Sequence, residues 1–69
     1  MSAFQPRYPH VTVQLTGEDG NAFSIIGRVT GALRAEGVSQ EIISQFTAEA
    51  MSGDYDHLLQ TCMKWVHTQ

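Results

Sequence analysis

Three groups of residues carry side chains that could do chemistry. Residues 17–23, GEDGNAF, set Glu18, Asp19 and Asn21 between two glycines, directly ahead of an apolar run. Residues 52–59, SGDYDHLL, bring Asp54, Asp56 and His57 together, and His57, Cys62 and His67 recur at intervals of five. A calcium loop needs oxygens at alternate positions and a late glutamate. Counted from Asp19, the third position is Asn21, but the fifth is Phe23 and the twelfth is Thr30. A phosphate loop needs GxxxxGK[ST] or GxGxxG after a strand; neither is present, and two carboxylates would repel the anion. Five residues turn a helix through about 500°, so His57, Cys62 and His67 point roughly 140° apart in succession and cannot share one ion.

Nucleophilic catalysis fares no better. It requires a base beside the nucleophile and an acid to orient the base. Cys62 is the one candidate thiol, and neither His57 nor His67 lies three or four residues from it. The carboxylate pairs Glu18/Asp19 and Asp54/Asp56 both fall where helices should start, a placement that capping explains. A chain of 69 residues is also short to enclose the roughly 300 Å³ or more that a ligand pocket usually occupies. The expectation is no enzyme, no metal and no cofactor.

The elements that would hold these residues follow from periodicity. In HVTVQLT, Val11, Val13 and Leu15 alternate with His10, Thr12, Gln14 and Thr16, the period of a half-buried strand. From Asn21 the period becomes helical: Ala22, Ile25, Ile26, Val29 and Leu33 share a face, Phe23 flanks it, and Gly37 closes the helix with Val38 packing back. Gly27 and Gly31 share another side, which predicts the close approach of a second backbone. Ser39 caps a second helix from Gln40 to about Ser52, with Ile42, Ile43, Phe46 and Ala50 inward. Asp54 caps a third, whose inner set is Tyr55, Leu58, Leu59, Cys62 and Val66, with Met63 and Trp65 at its margins. The expected class is α+β in the order β-α-α-α, with residues 1–9 as an extended arm anchored by Phe4 and Tyr8, and residues 10–69 as one small domain.

Composition narrows the function classes. Seven acids against four bases give a net charge of −3, which argues against binding nucleic acid through clustered Lys and Arg. A helix-turn-helix reading of the last two helices fails because the would-be recognition helix opens on Asp54 and Asp56. One cysteine, Cys62, cannot form an internal disulfide. No charged leader precedes an apolar stretch, and no run approaches the roughly 20 apolar residues that span a bilayer. A cytoplasmic protein without membrane contact is expected.

A lone strand leaves two bare edges. The N-terminal arm could fold back on it, although Pro6 and Pro9 lack donors. The C-terminal KWVHT could form a second strand. Or the strand could pair with its copy in a homodimer through Val11, Thr12, Val13, Gln14 and Leu15, which small size favours. The same edge suits addition to another protein's sheet.

The segments VTVQLTGEDGNAF, RVTGALRAEGVS and FTAEAMSGDYDHLLQTCMKWV resemble a group of very small proteins of phages, mobile elements and bacterial genomes, mostly without assigned function. The resemblance covers residues 11–66, with DGNAF and SGDYDxLL its most specific pieces. It implies a compact α+β fold in bacterial cytoplasm and carries no catalytic residues. In size, charge and origin the chain loosely resembles anti-CRISPR inhibitors, which bind a host defence complex and block a surface. That resemblance implies a protein partner, and Glu18, Asp19, Glu41, Glu49, Asp54 and Asp56 as the side chains meeting a basic, nucleic-acid-handling surface.

Overall fold

The computed structural model describes residues 5–15 and 20–69. Its elements run β1 (Tyr8–Val13), α1 (Ala22–Ala35), α2 (Gln40–Ala50), α3 (Tyr55–Trp65) and β2 (Val66–Thr68). This is the α+β class read from the periodicity, with a short closing strand added to the β-α-α-α order.

Each helix begins where its polar residue offers an acceptor to the free N–H groups of a first turn. The Asn21 Oδ1 accepts from the N–H of Phe23 at 2.8 Å and of Ser24 at 3.4 Å. Ser39 Oγ accepts from Ile42 at 3.3 Å, and Asp54 Oδ1 from His57 at 2.9 Å. The end of α1 is equally local. Gly37 takes φ +86°, a left-handed conformation open to glycine at little cost. That turn lets the Val38 N–H reach Leu33 O at 3.1 Å and the Gly37 N–H reach Arg34 O at 3.0 Å, the paired bonds of a Schellman stop.

The core lies where the inner faces meet. It joins Val11 and Val13 of β1, Ile25, Val29 and Leu33 of α1, Ile43, Phe46 and Ala50 of α2, Leu58, Cys62 and Trp65 of α3, and Val66 of β2. Thr61 is buried among them, and its Oγ1 donates to His57 O at 2.8 Å. Among the described residues no buried side-chain nitrogen or oxygen lacks a partner.

The third helix departs from its helical pattern at its end. Val66 has φ −138° and ψ 163°, so the helix stops at Trp65 and the chain turns extended. Val66, placed by its spacing on the inner face of the third helix, instead opens β2, so the strand alternative for KWVHT holds from Val66 to Thr68. β2 lies parallel to β1 with Tyr8 opposite Val66, Thr12 opposite His67 and Val13 opposite Thr68. Further bonds extend the pairing: Arg7 N–H to Lys64 O at 2.8 Å, Gln69 N–H to Val13 O at 3.0 Å, and Leu15 N–H to Gln69 O at 2.7 Å. The register slips between Tyr8 and Thr12, a stretch that contains Pro9, which has no N–H to give. Tyr8, assigned by sequence to the arm, thus opens the strand. One edge of β1 is occupied from within the chain, so the bare strand that motivated pairing across a homodimer through residues 10–16 is not left bare on that side.

Two placements of side chains also differ from expectation. Trp65, read as marginal, is 5% exposed, whereas Tyr55, read as inward, is 46% exposed. The reason is the turn at Val66, which pulls the end of α3 over the core. Trp65 packs edge-on to Phe46 at 5.5 Å between centroids and stacks with Tyr8 at 6.1 Å. The Arg7 guanidinium lies 4.7 Å from the Trp65 ring centre, and the indole Nε1 donates to Glu49 Oε1 at 3.2 Å. Gly27 and Gly31 were expected to admit another backbone. A Cβ at either would meet nothing within 4 Å, so no packing inside the described chain explains them.

Three changes test this account in chemical denaturation. Gly27→Ala and Gly31→Ala should each raise stability by about 0.5–1 kcal/mol, because Ala restricts the unfolded chain and fits the open helix surface. Gly37→Ala should lower it, since Ala is strained at a positive φ. Trp65→Ala should cost about 3–5 kcal/mol, enough to unfold a domain whose whole stability is of that order.

Candidate functional site

Among the described residues that could do chemistry, Asn21, Asp54, His57 and Cys62 are engaged in holding the fold. His57, in the first turn of α3, folds its ring over Gly53, where a Cβ would come within 2.7 Å of the imidazole Cγ. Its Nε2 lies 2.9 Å from Glu49 O and 3.1 Å from Ser52 Oγ, while Ser52 Oγ donates to the same carbonyl at 2.7 Å. A carbonyl only accepts, so the His57 Nε2 carries the proton and serves as a C-terminal cap for α2. Cys62 is wholly buried, and His67 is exposed on β2. The three sulfur and imidazole groups therefore face three different surroundings. Among the described residues no three His, Cys, Asp or Glu side chains converge on a point that could hold a metal.

Burial pushes the Cys62 thiol up from 9.0 to about 11, outweighing a backbone hydrogen bond that acts the other way. It is a packed thiol, not a nucleophile.

The acids assigned to partner binding are dispersed. Glu18 and Asp19 lie outside the described residues. Glu49 holds Trp65 through one oxygen and approaches Lys64 Nζ at 3.6 Å through the other. Asp54 caps α3, and Asp56 Oδ2 accepts from Gln60 Nε2 at 3.0 Å. Glu41 sits exposed in the first turn of α2. Of the four that are described, Asp54 and Asp56 alone adjoin one another. Of the strand residues assigned to a dimer edge, Val11 and Val13 are buried, Leu15 is half-buried, and Thr12 and Gln14 are exposed. Gln14 O lies 3.5 Å from an Arg28 guanidinium nitrogen that donates to it.

The structure also exposes large apolar side chains. Phe23 is 72% exposed, and Met51, Tyr55 and Met63 are each about half exposed. They surround two clefts that share Tyr55 as a wall. One, of about 230 Å³, lies between the start of α1 and the α2–α3 turn, lined by Ala22, Phe23, Ile26, Met51, Tyr55 and Leu58 among others. The other, of about 350 Å³, lies between α3 and the strand ends, lined by Leu15, Tyr55, Leu59, Met63, Thr68 and Gln69. Both are open clefts, not enclosed cavities. The Tyr55 hydroxyl donates to Gly20 O at 2.7 Å, which fixes the ring between them. Among the described residues, Asp54 is the one acidic side chain lining either cleft, and no Lys or Arg lines them.

This face had a sequence signal that the search for reactive groups passed over. On α3, Leu58, Cys62 and Trp65 follow one apolar ridge and are buried. Tyr55, Leu59 and Met63 follow a second, at i, i+4 and i+8. One stripe buries one helix face. Of the neighbouring ridge, Leu59 packs against the core, while Tyr55 and Met63 remain about half exposed.

Comparison of the chain with protein-family models, with curated proteins and with solved structures finds no match. Among the described residues no helix is long and apolar enough to cross a membrane.

The state of Cys62 gives a measurable pH dependence. Its folded pKa is raised, so its contribution is full below about pH 9 and is lost as pH rises through about 11. Denaturation midpoints should fall over that window in the wild type and fall less in Cys62→Ala. At neutral pH a thiol reagent should label Cys62 only after denaturant is added.

Proposed function

We propose that the chain is a non-enzymatic module that binds another protein through the apolar face around Tyr55. The observation that carries this reading is the exposure of Phe23, Met51, Tyr55 and Met63 about two adjoining clefts. Large apolar groups gathered on one face of a small domain mark an interaction surface. Aromatic and methionine side chains are the types enriched at such interfaces, the aromatic ones as anchors and the methionines as pliant filler. Among the described residues, His57, Cys62, Glu49 and Asp54, by contrast, already have structural tasks.

In its finer form the module is an inhibitor of a host defence complex that acts in bacterial cytoplasm by covering a surface. Small size, a net charge of −3 and the resemblance of its segments to small phage and mobile-element proteins support that form. The acids then have a different part from the one first assigned to them. The apolar face supplies the binding energy, while Asp54 and Asp56 at its margin select the partner.

The test compares tagged wild type with Phe23→Ser/Met63→Ser in pull-downs from bacterial lysate, with and without nuclease. Proteins retained after nuclease and lost with the double variant support the reading. Recovery that disappears on nuclease treatment points instead to a nucleic-acid-associated regulator. Recovery indifferent to the double variant removes the face from the account.

A further inference from the structure

From the charges around the two clefts, and resting on the protein-binding reading above, we infer the chemistry of the partner: a cationic segment carrying two bulky apolar side chains, one for each side of Tyr55. The geometry supplies the number of anchors. Two clefts of about 230 and 350 Å³ share a single aromatic wall, and that wall is held by the bond from its hydroxyl to Gly20 O. Each is of a size to take a Leu, Phe or Trp side chain, and the methionines beside them, Met51 and Met63, can adjust to either.

The charge supplies the sign. Asp54 lines the first cleft, and Asp56 stands exposed two residues on, in the first turn of the same helix. Among the described residues no Lys or Arg lines either cleft, so no cationic side chain there offsets these carboxylates. Asp54 and Asp56 are held by their cap and by Gln60, and each retains an oxygen for which no bond is described. Lys or Arg side chains flanking the apolar anchors would meet a negative margin.

The same charges weigh against a second copy of this chain as the occupant. A two-fold interface sets a patch against itself. Face on face, it would bring two sets of Asp54 and Asp56 toward one another, between molecules that each carry −3. Like charges so placed oppose association.

The experiment pans a random library of 16-residue peptides against the immobilised full-length chain. Enriched peptides are then measured by fluorescence polarisation against wild type, Phe23→Ser/Met63→Ser and Asp56→Asn. All three substituted positions are exposed, and the Asp56→Asn side chain keeps an acceptor for Gln60, so folding is checked by urea denaturation alone. The expected peptides carry paired bulky apolar residues and a net positive charge. Their affinity should fall about tenfold or more in the double variant and severalfold in Asp56→Asn, with a further loss at high salt. Peptides that need Phe23 and Met63 but show no basic bias, and no response to Asp56→Asn or salt, overturn the charge assignment and leave the docking face standing. Enrichment of peptides indifferent to the double variant overturns both. Sedimentation of the wild type as a dimer that the double variant splits makes the occupant a second copy, and likewise overturns the inference.

Discussion

The fold depends on what happens between Trp65 and Val66. At that peptide the chain leaves a helix and becomes extended, so that two neighbouring residues serve different layers. Trp65 closes the helical layer: Phe46 meets its edge, Tyr8 its face, Arg7 lies over the ring, and Glu49 accepts its N–H. Val66, wholly buried, starts the strand that pairs with β1. The tryptophan therefore ties together β1, α2 and α3, and it fixes the point from which β2 departs. A helix continued by one turn would swing Val66 to Thr68 away from β1 and leave Val11 and Val13 covered on one side only.

The aromatic cluster also explains how so small a chain closes a core without an internal disulfide. Tryptophan and phenylalanine each bury a large area, and their edge-to-face packing adds to it. The polar end of the indole is the usual difficulty with such burial, because an unbonded N–H would be costly. Glu49 removes that cost. The sequence reading placed it among the acids meeting a partner's basic surface; its neighbour Lys64 screens the carboxylate in turn.

What could be read from the sequence was whatever chemistry acts within a few residues. Asn21, Ser39 and Asp54 cap their helices through bonds two or three residues long, and Gly37 stops α1 through its own φ. The alternation of Val11, Val13 and Leu15 and the spacing of Ile25, Val29 and Leu33 likewise state their own geometry. The second strand was one of two alternatives for KWVHT, because Val66 continues the helical spacing of α3 as well as it starts a strand; the choice is made by β1, more than fifty residues earlier. Glycines at 27 and 31 suggested a close neighbour that the described chain does not supply. The binding face was hidden for a related reason. Apolar residues on α3 form two ridges, and only the packing of α2 and β2 decides which of them is covered.

The parallel pairing of β1 with β2 has a consequence for how the chain comes into being. Tyr8 and Val66 face each other across the two strands yet are separated by the whole helical region, so β1 is synthesised before the strand it pairs with. At a ribosome the three helices can coil as they emerge, since their bonds are local. The valine-rich segment cannot be sheltered until residues 66–68 have cleared the exit tunnel, and long-range pairings of this kind form slowly. During that interval its main chain is open to any extended neighbour. The vulnerable moment in the life of this protein is its own translation.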